Sequence, residues 1–357
     1  MMAQMLKNKV YGWLDQRFAL GTMQELAGKK TVPVHRHSIW YYMGGIAVMF
    51  LIIQVLTGGL LMLYYVPEIS AAHASIVTIN SQVDFGWFVR SMHSWGANLM
   101  ILALFVHLFT TYFLKAYRPP REITWLTGLG LLVVVFGFGF TGYLLPWDEV
   151  AFFATKVGLD IASQVPFVGE TIATILRGGA DVSQATLSRF FVIHVFLLPL
   201  ALVALMGVHM LMVQLHGMSR PDSVKDQAVR EEKFFPTFVL KDLMVWLLLF
   251  NLLAAFVSFY PWGLGPEADP FAAAPAGIKP EWYFLGMFQF LKVLPAYIGP
   301  FEGEHVGMAL FALIGLAFVV IPFWERGQNP VRKTWAELFG SVILFLFIVF
   351  TVWGMLL

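Results

Sequence analysis

Seven stretches of this chain carry no Lys, Arg, Asp or Glu except at their margins: Ile39–Tyr65, Ser91–Leu114, Ile123–Trp147, Phe190–Met218, Leu243–Pro266, Val306–Trp324 and Leu338–Leu357. A bilayer core of about 30 Å takes about 20 residues of helix to cross, and unpaired backbone is too costly in lipid for any open structure. The runs therefore predict an all-α integral membrane protein with seven transmembrane helices. Composition agrees, because 59% hydrophobic residues against 13% charged, at a mean hydropathy of +0.73, exceed what a soluble core can hide. A formal net charge of +1 supplies no basic field for nucleic acid, and none is expected as a partner. The chain has no cysteine, so its own side chains offer no disulfide, no iron–sulfur ligation and no thioether-linked haem.

Lys and Arg set the orientation. With the N-terminus inside, the N-terminal segment and even-numbered connections hold seventeen of them, and the opposite side holds six: Arg90, Lys156, Arg177, Arg189, Lys279 and Lys292. Positive charge favours the cytoplasmic side, which predicts a cytoplasmic N-terminus and an outer C-terminus. Ahead of the first run, "KNKVYGWLDQRF" mixes Lys7, Lys9 and Arg17 with Val10, Trp13, Leu14 and Phe18, the pattern of an interfacial amphipathic helix. Two outer connections, Asp148–Arg189 and Glu267–Glu304, are long and contain Gly, Pro and short apolar patches such as "VPFVGETIATIL" and "WYFLGMFQFL", and loops of that length usually carry function. The polar Arg220–Lys241 connection reads as a linker. It divides the chain into residues 1–218, 219–242 and 243–357.

Titratable rings inside two of the runs are the chemical signal. The second run holds His93 and His107, fourteen residues apart, and the fourth holds His194 and His209, fifteen apart. Each interval is close to four helical turns, so each pair keeps one face and spans about 21 Å. The two helices run in the same direction, which puts His93 level with His194 and His107 level with His209. Members of one pair are too far apart to share a zinc ion. A single intramembrane histidine is more often a hydrogen-bonding or proton-relay group. Matched pairs at two depths instead suit two flat cofactors stacked across the bilayer, each iron held by one imidazole from either helix: a four-helix bundle enclosing two non-covalent b-type haems. Gly44 and Gly58 in the first run, and Gly128 and Gly142 in the third, repeat the fourteen-residue interval, where small residues admit a flat ring or simply close helix packing. Arg90 and Arg189 fall near the outer rim, placed either to bind haem carboxylates or simply to mark the membrane interface.

With these residues in view, the chain resembles the cytochrome b/b6 family, the dihaem subunits of quinol–cytochrome c or plastocyanin oxidoreductases. The resemblance runs from "WYYMGG" to the last helix and rests on "RSMHSWGANLM", "TGYLLPWDEV", "TLSRFFVIH" and "KPEWYFLGMFQFL". The fifteen-residue step from His194 to His209 is similar to the b6 branch, yet the later helices, similar to that branch's separate subunit IV, continue in the same polypeptide. Chloroplast-type b6 tethers an extra haem through a cysteine where this chain has Tyr42, so no covalently held haem is expected. The resemblance implies an outer quinol site in which Glu281 accepts a proton beside Tyr283, shaped by Pro280, Tyr143, Pro146 and Phe153. It implies an inner quinone site with Asp242, next to Lys241, and His216 as candidates for proton delivery. It further implies a Rieske-type iron–sulfur partner, a cytochrome c-type subunit, a homodimeric complex, a bacterial cytoplasmic membrane and a contribution to the proton gradient.

Two other readings use the same features differently. A dihaem anchor relaying electrons between a dehydrogenase and quinone needs the histidines but not the Glu281 loop. A transporter with a histidine proton relay needs no haem at all.

Overall fold

The computed structural model describes residues 2–18, 21, 28 and 30–357. Of the positive charges that set the orientation, Lys29 and the side chain of Lys7 lie outside the described residues. An N-terminal helix, α1 (Met2–Phe18), precedes a short strand, β1 (Thr31–Val34). Then come α2 (Tyr42–Met62), entered through a 3-10 turn, α3 (Ala72–Ser81), α4 (Gly86–Phe113), α5 (Glu122–Leu144), α6 (Glu149–Ser163), α7 (Gly169–Arg177) and α8 (Gln184–His216). The second part holds β2 (Arg230–Lys233), α9 (Val239–Phe259), α10 (Trp282–Val293), the hairpin β3 (Tyr297–Ile298) and β4 (Phe301–Glu302), α11 (Gly303–Trp324) and α12 (Pro330–Leu356). Seven helices, α2, α4, α5, α8, α9, α11 and α12, are long and apolar enough to cross a membrane. The chain is an integral membrane protein of the expected class.

Helix ends depart from the apolar runs where capping outweighs hydropathy. α12 starts at Pro330, eight residues before its apolar run, because Pro330 suits a first helical position and Asn329 caps the amides of Val331 and Arg332. α8 starts at Gln184, where Ser183 and Thr186 form a capping box. α9 stops at Phe259, before Pro261. The segment beyond it is sewn to the start of α4: Trp95 Nε1 donates to Tyr260 O at 2.9 Å, Arg90 donates to the carbonyls of Trp262 and Gly263, and Trp262 N–H donates to Ser91 Oγ. One π turn, Ile193–Leu197, interrupts α8. Leu198 N–H bonds to Ile193 O, and Pro199 has no amide with which to restore the ordinary register.

The close pairs are α2 with α4 and α5 with α8, and contact between α4 and α5 completes a four-helix bundle. Ile46, Phe50, Met100, Ile101, Leu131 and Val135 are buried together between its members. α9 packs on α4 and α2, α11 on α5, and α12 on α10 and α4. The outer connections are ordered differently from plain loops. The first folds into α6 and α7, and the second contains α10 and a hairpin. The polar linker also contributes structure, since β2 pairs antiparallel with β1 and so ties the N-terminal segment to it.

Candidate functional site

The histidines occupy α4 and α8, and the glycines occupy the helices packed behind them, α2 and α5. Each glycine faces one ring. A Cβ at Gly58 would lie 3.1 Å from His93 Cε1, at Gly44 3.4 Å from His107 Cε1, at Gly142 2.6 Å from His194 Cε1 and at Gly128 3.3 Å from His209 Cε1. The small residues therefore admit the imidazoles themselves against the neighbouring backbone.

Threonines beside three of these glycines orient the rings. Thr57 Oγ1 donates to Ile53 O and lies 3.0 Å from His93 Nδ1. Thr141 Oγ1 donates to Gly137 O and lies 3.2 Å from His194 Nδ1; Thr127 Oγ1 donates to Ile123 O and lies 3.1 Å from His209 Nδ1. With each hydroxyl proton committed to a carbonyl one turn back, the oxygen can only accept, so Nδ1 carries the ring proton. The lone pair is left on Nε2. The rings of His93 and His194 have centroids 6.4 Å apart. Two metal–imidazole bonds of about 2 Å each, plus the reach from ring centre to nitrogen, fill a gap of that size. The donor set thus fits an iron bound by two histidines. His107 and His209 are close enough to interact electrostatically, and His107 Nδ1 is buried with no hydrogen-bond partner.

Arg90 is buried and spends its terminal nitrogens on Trp262 O and Gly263 O, while exposed Arg189 donates to the carbonyls of Thr174 and Ile175 at the end of α7.

At one end of the bundle, Glu281 is the residue before α10, and its carbonyl accepts the amides of Phe284 and Leu285. Its carboxylate has no ion-pair or hydrogen-bond partner among the described residues, and burial holds its pKa above the ordinary glutamate value. Tyr283 is buried, its ring stacks on Phe136, and its hydroxyl lies over the backbone of Gly139. Burial, then the charges of Glu281 and Tyr143, push the Tyr283 phenol up, which places these three side chains in one neighbourhood. Trp282 Nε1 donates to Asn98 Oδ1 at 2.8 Å, anchoring the loop to α4. Phe153 is buried in a cluster with Trp147, Phe152 and Leu144, against which Ile278 packs from the Pro280 side. Pro146 lies in the turn that leads into this cluster, and the turn is pinned by Ala268 N–H to Trp147 O and Glu149 N–H to Pro266 O. The two outer connections meet here.

At the other end, Asp242 sits in the first turn of α9 with Oδ1 buried and unpaired. Its carboxylate presses on α2, where a Cβ at Gly45 would fall 2.3 Å from Oδ2. Lys241 pairs instead with Glu232 of β2. His216 closes α8 with a buried, unpaired Nδ1, and Arg121 holds its carbonyl at 2.9 Å.

A helical membrane bundle with histidines facing across it at two depths and an acidic loop at one end is the architecture of a membrane cytochrome. Comparison makes the class specific. Residues 29–217 match the profile of the family Cytochrome b/b6/petB, and residues 267–357 match Cytochrome b(C-terminal)/b6/petD. The cytochrome bc complex cytochrome b subunit of Chlorobaculum thiosulfatiphilum is 43% identical over 343 residues, which cover 95% of this chain and 79% of that one. The menaquinol:cytochrome c reductase cytochrome b subunit of Bacillus subtilis is 44% identical over 221 residues, covering 60% of this chain and 99% of that one. A solved structure, a hyperthermophilic respiratory Complex III, superposes with a TM-score of 0.79 at 25% identity, covering 97% of this chain and 98% of its counterpart. The chain belongs to the cytochrome b/b6 family, whose members carry b-type haem.

Proposed function

We propose that this chain is the dihaem cytochrome b subunit of a quinol–cytochrome c reductase, oxidising quinol at its outer end and reducing quinone at its inner end. The observation that supports it most is the pair of histidine tiers, each ring presenting a bare Nε2 lone pair wherever threonine takes Nδ1. His93 and His194 would hold the outer haem iron, and His107 and His209 the inner one. When bound, haem at each tier supplies a one-electron carrier between the two quinone sites.

The chain's own groups handle protons. Quinol oxidation releases two protons with two electrons, and Glu281 is a partner-free carboxylate in an apolar neighbourhood, able to take one. Tyr283 and Tyr143 beside it supply phenol hydroxyls to orient the quinol head, and the Phe153 cluster with Pro146 and Pro280 walls the pocket. At the inner end, the unpaired Asp242 Oδ1 and His216 Nδ1 are positioned to deliver protons to reduced quinone. A chain without cysteine needs an external iron–sulfur acceptor of Rieske type and a cytochrome c-type subunit to complete the reaction. We place the N-terminus in the cytoplasm of a bacterial cell and the complex as a homodimer.

The test is a reduced-minus-oxidised spectrum with haem extraction on the purified complex. Two non-covalent b-type haems per chain support the reading, and none would replace it with a proton-relay transporter. Glu281→Gln is then expected to lower quinol oxidation by roughly 10²–10⁴-fold with haem content unchanged. The base must be deprotonated to act, so wild-type turnover falls as pH drops through the raised Glu281 pKa, and that acid limb sits above the range of an ordinary glutamate. An acid limb unchanged in Glu281→Gln would remove the residue from this role.

A further inference from the structure

The residue before each ring-facing glycine forms a pattern with one exception: Thr57, Thr127 and Thr141 precede Gly58, Gly128 and Gly142, but Met43 precedes Gly44. All four rings turn Cε1 toward their glycines; Nδ1 comes next at Gly58, Gly128 and Gly142, whereas at Gly44 Nε2 (3.8 Å) and Nδ1 (3.9 Å) of His107 are almost equidistant from a Cβ. At His107 no threonine hydroxyl approaches Nδ1. His107 Nδ1 is consequently the one member of the four that is buried without a partner.

We propose that Met43 is a positioning residue that sets the inner redox centre apart from the outer one by denying His107 the acceptor that the other three histidines have. This rests on reading the four histidines as haem ligands. A hydrogen bond from Nδ1–H to an acceptor makes the imidazole a more basic ligand and favours the oxidised, more positive iron. The outer centre has two such bonds, through Thr57 and Thr141, and the inner centre has one, through Thr127. The inner centre is therefore held at a higher reduction potential than a fourth threonine would give. This asymmetry makes electron flow from outer to inner downhill by one hydrogen bond.

The experiment compares Met43→Thr with Met43→Val in the intact complex. The two variants share a shape and differ only in the hydroxyl, and both haems are followed by optical redox titration. The inner centre is identified as the one lost in His209→Leu. Met43→Thr is expected to lower the inner midpoint relative to Met43→Val by a factor of about ten in the reduction equilibrium, about 59 mV for one electron, with the outer midpoint unmoved. Thr57→Val is expected to raise the outer midpoint alone. Equal inner midpoints in the two Met43 variants, with both haems retained, would overturn the proposal. If Met43→Thr does not hold its haem, an unshifted outer midpoint in Thr57→Val overturns it instead. Failure of the ligand reading is distinguishable, because the wild-type spectrum would then lack two b-type haems before any titration.

Discussion

Gly44 and Gly142 perform one task with different clearance, and that difference is measurable. A methyl group at Gly142 would sit 2.6 Å from His194 Cε1, closer than atoms tolerate, whereas at Gly44 it would sit 3.4 Å from His107, in ordinary contact. Overpacking of this kind costs about 1–3 kcal/mol, and here the strain falls on His194, which the proposed function makes a haem ligand. Gly142→Ala is expected to lose the outer haem, and Gly44→Ala to keep both, read as the haem-to-protein ratio of the purified chain. Much of this site is legible in sequence, since the glycine interval repeats the histidine interval and two periodicities that agree point to one geometry. The threonines are not legible in the same way. A Thr in a transmembrane helix ordinarily bonds its own carbonyl one turn back, as Thr57 does to Ile53, and nothing in the string tells which ring its remaining lone pair meets.

Between elements, the turns that join α4 to α5 and α11 to α12 are locked by one buried carboxylate. Glu325, after α11, is fully buried, and Arg118, between α4 and α5, grips it through Nε and Nη2 at 2.9 and 3.0 Å. Tyr117 OH and Gly327 N–H also donate to it, while Arg118 Nη1 and Lys333 hold Asp222 of the linker. Glu325→Ala leaves Arg118 with Asp222 alone and Tyr117 OH and Gly327 N–H without their acceptor, so it is expected to destabilise the protein by about 1–3 kcal/mol, seen as a lower melting temperature in detergent. Burial alone would raise the Glu325 pKa, but the Arg118 hydrogen bonds and charge outweigh it and hold the pKa below the ordinary value. The stability this supplies is full above the unfolded pKa and is lost as pH falls through the depressed folded one. Acid should therefore weaken the wild type more than Glu325→Ala. Sequence reading finds the spanning helices here because each is long and uncharged. It misses α6, α7 and α10, whose apolar patches are short, and it misses the β1–β2 pair. Pro33 in "TVPV" and the uniformly charged "REEK" give no strand alternation, and the pairing is fixed by tertiary contact.

At the scale of the whole molecule, the chain joins two parts that also touch one another away from the peptide that connects them. Family profiles cover residues 29–217 and 267–357, and relatives such as the Bacillus subtilis subunit match 60% of this chain over 99% of their own length. Between the parts, β1 pairs with β2, α9 lies on α2 and α4, α12 lies on α4, and Arg118 reaches Glu325. The run Lys225–Ala228 is exposed and lies between Asp222 of the inner clasp and β2. A break there leaves every one of these contacts intact and removes only the covalent link, whose contribution is entropic and grows slowly with length. Co-expression of residues 1–226 with residues 227–357 is expected to give two fragments that co-purify with two haems, because the four histidines and four glycines all belong to the first fragment and the packing against α9 and α12 still covers it. The same break combined with Glu325→Ala should reduce recovery of the second fragment more than either change alone, since the lock then has no tether behind it. Fragments that fail to co-purify, while the first still binds haem, would mean that the linker itself holds the two parts together and that β1–β2 pairing and the Arg118 grip do not suffice.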